Sequence, residues 1–116
     1  MILIVGGEGS GKRSFAKSLG YSDADMADAA LNDCPVVFHT ERMVMEQMDA
    51  LDALFEALRR KQVVICNEVG SGIIPMTQHE RRWRESTGRL CVRLAGEADA
   101  VARMVCGIPS VIKGEL

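Results

Sequence analysis

The opening stretch MILIVGGEGSGKRS limits the possible folds more than any other part of the chain. Residues 2–5 are a short aliphatic run ended by glycines, which reads as a buried strand. Gly6, Gly11 and Lys12 then keep the spacing G-x-x-x-x-G-K, and a helix is expected from Gly11 to about Leu19. In such a strand–loop–helix unit the glycines let consecutive backbone N–H groups turn inward around phosphate oxygens. The helix start adds the positive end of its dipole, and the lysine adds a cation. Gly6, Gly7, Glu8, Gly9, Ser10, Gly11, Lys12, Arg13 and Ser14 are therefore the candidate nucleotide-binding residues, with Lys12 also a catalytic candidate. The alternative is an ordinary glycine-rich turn that happens to carry a lysine.

One position departs from the pattern. A Ser or Thr normally follows the lysine and coordinates Mg²⁺. Here that residue is Arg13, and Ser14 comes one place late. One residue is a rotation of about 100° on a helix, so Ser14 is expected to point away from such a metal unless the helix start is rewound. The phosphate cradle is expected intact and the metal site altered.

The rest of the chain alternates strand and helix signals. Ser22 and Asp25 have capping-box spacing, with Asp in the Glu slot, and predict a short helix to about Leu31. PVVFH (35–39) predicts a second strand, with Pro35 at its start. Thr40 predicts the cap of a long helix over 41–60, whose apolar stripe is Val44, Met48, Leu51, Phe55 and Leu58. QVVIC (62–66) predicts a third strand, and NEVGSGIIP (67–75) a loop. Thr77 and Glu80 form a capping box for a helix of about 78–96, with Trp83, Thr87, Leu90, Leu94 and Ala98 on its inner face. Gly88 lies inside that helix at a cost of about 1 kcal/mol relative to alanine, which points to a close packing contact. AVARMVC (100–106) predicts a fourth strand, GIP a turn, and SVIK an edge strand. The expected fold is α/β: one domain over 1–116, a P-loop-type three-layer architecture with a small, mainly parallel sheet of four to five strands and flanking helices. Ligands of such sheets bind at the carboxyl ends of the strands.

Composition narrows the function classes. At 116 residues, 47% hydrophobic and 26% charged, the chain reads as one soluble globular domain. No apolar run is long enough to span a membrane, and no signal peptide precedes the first strand, so a cytoplasmic protein is expected. The net charge of −2 argues against general nucleic-acid binding. Arg81, Arg82, Arg84, Arg89 and Arg93 cluster late, either as a solvated helix face or as phosphate ligands. Cys34, Cys66, Cys91 and Cys106 include no C-x-x-C pair and read as buried reduced thiols, and His39 and His79 lack metal-ligand spacing, so no zinc site is expected.

NEVGSGIIP, the segment ERRWRESTGRLCVRLAGEADAV and the terminal GIPSVIK together resemble the bifunctional adenosylcobinamide kinase / adenosylcobinamide-phosphate guanylyltransferase family. The N-terminal ILIVGGEGSGK resembles the same family's phosphate loop, including Ser10. The resemblance implies a P-loop fold, a homotrimer, ATP or GTP as nucleotide, Mg²⁺, and a corrinoid substrate. It implies two chemistries: phosphorylation of the aminopropanol hydroxyl of adenosylcobinamide, then GMP transfer onto that phosphate. It also implies substrate-binding roles for Asn67, Glu68, Gly70, Gly72, Arg84 and Arg89 in the second loop and the following helix.

Three departures bear on these roles. The family chain is longer, and the segment absent here falls mostly between the second expected strand and Lys61. That segment carries the family's metal carboxylate. The guanylylated histidine falls near Ala29 or Ala30, and His39 is not given that role. Kinase chemistry is thus the retained expectation, guanylyl transfer is not expected, and a catalytically degenerate nucleotide-binding or scaffold protein is the rival. Glu68 has two open readings: a catalytic carboxylate that holds Mg²⁺, as Ser14 also could, or a residue that fixes its loop.

Overall fold

Two hydrophobic cores, one on each face of a single sheet, organise this protein. The computed structural model describes residues 1–69 and 77–116. Its strands are β1 (Ile2–Gly6), β2 (Met26–Asp28), β3 (Val36–Phe38), β4 (Val63–Asn67), β5 (Ala100–Val105) and β6 (Ile108–Lys113). They lie in the order β2-β3-β4-β1-β5-β6, all parallel except the β5–β6 hairpin. Strand residues alternate between faces, which splits consecutive apolar residues between the cores. Leu3, Val37, Val64 and Val101 pack against the helices α2 (Thr40–Glu46), α3 (Leu51–Leu58) and α4 (Gln78–Glu97). Ile4, Val36, Val63, Ile65 and Met104 pack on the opposite face with Ala16 of α1 (Lys12–Ser18). The result is a three-layer α/β fold of the P-loop type, as expected.

Four expectations are corrected. The Ser22–Asp25 capping box forms, with the Ser22 N–H donating to Asp25 Oδ2 at 2.8 Å, but it opens only a 3-10 turn over Asp23–Asp25. The chain then extends into β2, so the sheet has six strands rather than four or five. Pairing with β3 wins over local helix propensity there. The parallel connection from β2 to β3 needs only residues 29–35, because each strand is three residues long. Lys61 Nζ pins that connection through the carbonyls of Asn32 and Cys34.

The helix expected over 41–60 is two helices, broken at Gln47 (φ −132°, ψ 35°) and a 3-10 turn over Met48–Ala50. The apolar stripe survives the break, since Val44, Met48, Leu51, Phe55 and Leu58 all reach the same core. Thr40 does not cap α2 either: it is the first helical residue, fully buried, and its Oγ1 donates to the Ile65 carbonyl at 2.9 Å. Finally, the turn expected at GIP lies one step earlier. Cys106 (φ 51°) and Gly107 (φ 77°) supply the two left-handed residues of a two-residue hairpin turn. Pro109 then belongs to β6, where an edge position tolerates its missing N–H.

The expected buried thiols divide. Cys66 is buried, Cys34 and Cys91 are half-buried, and Cys106 is exposed, all four in the reduced form. A hydrogen bond to Cys91 and burial push the Cys66 thiol well up. Cys106 is therefore expected to react first with a disulfide reagent and Cys66 last, which peptide mapping after timed labelling will check. Leu90→Ala, at a side chain 1% exposed in the α4 core, is expected to cost about 2–5 kcal/mol by denaturant titration.

Candidate functional site

The loop after β1 is held from below by the β5–β6 turn. The Gly107 N–H donates to the Ser10 carbonyl at 2.9 Å. A Cβ on Gly11 would lie 3.2 Å from Gly107 Cα, and Gly11 itself has φ 94°, so glycine is required there twice over. At Gly6 a Cβ would lie 2.6 Å from Ser10 Oγ and 2.7 Å from the Met104 carbonyl. These contacts fix the loop against the sheet before any ligand is considered.

Lys12 lies inside this loop, with 7% of its surface exposed. Its Nζ donates to the Gly7 carbonyl and, at 3.4 Å, to Ser10 Oγ. Burial pulls its pKa below the usual lysine value, and the nearby Glu41, Cys66, Glu8 and Glu68 partly offset that. A cation kept in a partly desolvated loop attracts anions more strongly than one in water.

Beside the loop is a cleft of about 420 Å³. Glu8, Gly9, Gly11, Lys12, Arg13 and Ser14 from the loop and helix start line it together with Phe38, His39, Ile65 and Asn67 from the strand ends. It lies at the carboxyl ends of β1, β3 and β4. The chain leaves β1 toward α1 on one face and β4 toward α4 on the other, the sheet position where α/β folds bind ligands. The Arg13 guanidinium lies over the Phe38 ring, 4.6 Å from its centre. Ser14, on the first turn of α1, is among the residues that line the cleft.

A second cavity of about 300 Å³ adjoins the first, and Asn67 lines both. Its walls are Val5, Val69, Thr87, Gly88 and Cys91, with Glu68 and Arg84 as its charged residues. Thr87 Oγ1 is buried and without a hydrogen-bond partner among the described residues. Among the described residues a Cβ on Gly88 would meet nothing within 4 Å, so none of them makes the expected close contact. Its missing side chain instead leaves room in this cavity.

The second-loop residues are only partly brought together. Glu68 binds Arg103 with both carboxylate oxygens, at 2.7 and 3.1 Å, which favours its loop-fixing reading. Arg89 lies on the solvent side of α4 near Glu85 and enters neither cavity. Arg82 pairs with Asp49, and Arg93 pairs with Asp52 and covers Phe55, so most of the arginine cluster is a solvated, ion-paired face. Gly70 and Gly72 lie outside the described residues.

Asp28, Phe38 and Glu41 were not singled out from the sequence for the roles they have in this region. Asp28 accepts from His39 Nδ1 at 2.7 Å, and Phe38 carries Arg13. Glu41 is buried, accepts the Asn67 N–H at 3.0 Å, and offers its carbonyl to Trp83 Nε1. Their shared signal was their place at strand ends or just beyond.

Comparison with known proteins adds an independent line. The family model for cobinamide kinase / cobinamide phosphate guanyltransferase matches residues 23–112. The bifunctional adenosylcobalamin biosynthesis protein CobU of Salmonella typhimurium is 38% identical over 73 residues, which covers 63% of this chain and 40% of that protein. CobP of Pseudomonas aeruginosa is 28% identical over 101 residues, covering 81% and 58% respectively. The chain thus spans about half the length of the curated relatives it matches.

Gly6→Ala is expected to displace the loop, at a cost of about 1–3 kcal/mol for the added methyl. Amide spectra should show shifts concentrated at residues 7–12 and 104–107; spectra unchanged there would contradict the packing described.

Proposed function

Because the chain belongs to the cobinamide kinase / cobinamide phosphate guanyltransferase family, we propose that it is a nucleotide-dependent phosphotransferase of cobamide biosynthesis. The observation that carries this reading is the buried Lys12 in a glycine loop beside an open cleft. Backbone N–H groups of the loop, Lys12 and the start of α1 hold the terminal phosphates of ATP or GTP. The adjoining cavity around Asn67, Arg84 and Gly88 takes the body of the acceptor, a cobinamide by family membership, with its hydroxyl turned into the cleft beside the terminal phosphate. Phosphoryl transfer needs mainly positioning and charge neutralisation, which a desolvated cation at a fixed loop supplies.

Nothing among the described residues supports a protein-held Mg²⁺ site. Glu68 has both oxygens on Arg103, and among the described residues no cluster of three or more His, Cys, Asp or Glu side chains could hold a metal. Ser14 offers a single hydroxyl to the cleft. Arg13 is placed to take over part of the charge, since a guanidinium neutralises phosphate oxygens without a metal. A second reading, nucleotide binding without transfer, is favoured by the same Glu68–Arg103 pair. Label transfer from γ-labelled ATP or GTP to adenosylcobinamide separates the two.

Lys12→Ala is expected to weaken triphosphate binding by about 1.5–3 kcal/mol, the size of a charge-assisted contact. Affinity is also expected to fall as pH rises through the lowered Lys12 pKa. The bound triphosphate favours the charged lysine, so binding takes up a proton in that range. Calorimetry in buffers of different ionisation enthalpy reads the uptake directly; unchanged affinity in Lys12→Ala would sink the phosphate-loop reading.

Arg13→Ser is expected to lower affinity in EDTA and to enlarge the gain that Mg²⁺ brings. Strict Mg²⁺ dependence of the unmodified protein would show that Arg13 does not replace the metal.

A further inference from the structure

His39 lines the same cleft as Lys12, and phosphate binding gives it no task. It follows β3 in a left-handed backbone conformation, φ 56°, which costs energy for a residue with a Cβ. Three contacts hold it there. Its Nδ1 is 2.7 Å from Asp28 Oδ1, its ring meets the Phe38 ring edge-on at 4.8 Å, and the next residue is tied to β4 through Thr40 Oγ1. The register Asp28↔Phe38 of the β2–β3 pair brings the carboxylate beside the ring. Arg42 Nη1, 3.9 Å from the same Asp28 oxygen, holds the carboxylate from the other side.

A carboxylate at Nδ1 accepts that N–H and leaves Nε2 as the unprotonated nitrogen. Among the described residues Nε2 has no hydrogen-bond partner, and the ring lines the same cleft as Lys12, Arg13 and Ser14. A strained histidine, oriented by a buttressed carboxylate and facing a cation-lined cleft, has the parts of a general base.

We propose that Asp28 and His39 form the general-base dyad that activates the acceptor hydroxyl. The proposal rests on the phosphoryl-transfer reading above. The acceptor oxygen forms a bond to the terminal phosphorus while its proton passes to His39 Nε2. The bond from that phosphorus to the bridging oxygen breaks, and its electron pair stays on the departing nucleoside diphosphate. Lys12 and Arg13 meet that charge. Asp28 stabilises the imidazolium until its proton is lost to water. No phosphorus–nitrogen bond forms, so α-labelled GTP leaves no acid-labile label on the protein.

The charged groups around the ring, among the described residues, are Asp28 from β2, Arg42 from α2, Arg13 from α1 through the shared Phe38 ring, and Glu8 and Lys12 in the lining of the same cleft. A pH profile of transfer therefore has to be compared between variants.

The test is steady-state transfer from γ-labelled ATP or GTP to adenosylcobinamide by the full chain, with nucleotide affinity measured in parallel. His39→Gln is expected to keep nucleotide affinity within about threefold and to lose about 10²-fold or more in kcat. It should also lose the acid limb of the pH–rate profile. His39→Ala should regain rate with added imidazole, and Asp28→Asn should show an intermediate loss. Transfer by His39→Gln at the unmodified rate overturns the dyad and leaves the phosphotransferase reading standing. A rate loss with the same pH profile and no imidazole rescue also overturns it, because that is a structural role. An unmodified protein that binds nucleotide but transfers nothing overturns the phosphotransferase reading and the dyad with it.

Discussion

Everything in this structure depends on β1 being held on all sides. It pairs with β4 on one edge and β5 on the other, in register over all five of its residues. Leu3 is buried in one core and Ile4 in the other. A strand buried on both faces cannot slip by one residue without exchanging its two apolar sets. Its last residue, Gly6, is therefore a fixed point, and the loop built on it inherits that precision. The Glu68 N–H donating to the Gly6 carbonyl and the Gly107 N–H donating to Ser10 tie the neighbouring segments to the same point.

On this rigid frame the chain places charges that would be costly elsewhere. Lys12 and Glu41 are both buried, yet each has polar partners: the Gly7 carbonyl and Ser10 for the lysine, the Asn67 N–H for the glutamate. A buried charge left unpaired would shift to its neutral form. Here the opposite charges around Lys12 hold part of its pKa against the pull of burial. The exposed pairs on α4, such as Arg89 with Glu85, contribute little by comparison, because solvent screens them.

The short β2–β3 pair shows how a compact chain can still complete a cleft wall. Three-residue strands need only residues 29–35 to return, and Lys61 secures that return. The pair then delivers Asp28, Phe38 and His39 to the edge facing the glycine loop. Relatives named for bifunctional adenosylcobalamin biosynthesis are longer than this chain.

What the sequence determined by itself was everything governed by short-range pattern. The run at 2–5, the glycine spacing through Lys12, the Thr77–Glu80 box and the helix expected over about 78–96 depend on neighbours in the chain, and each appears where expected, the helix ending one residue later at Glu97. What depended on distant partners was decided only by the tertiary structure. Ser22 and Asp25 formed their local cap, but edge pairing with β3 turned the following residues into a strand. The apolar stripe of 44–58 was legible, because it faces one core throughout, while the break at Gln47 was not, because a backbone change there leaves that apolar spacing intact. Glu68 had two open readings until Arg103, 35 residues away, bound both its oxygens and favoured the structural one. The pairing of Asp28 with His39 was invisible for the same reason. Eleven residues apart in sequence, they meet only because two parallel strands end side by side, and no local propensity records that register.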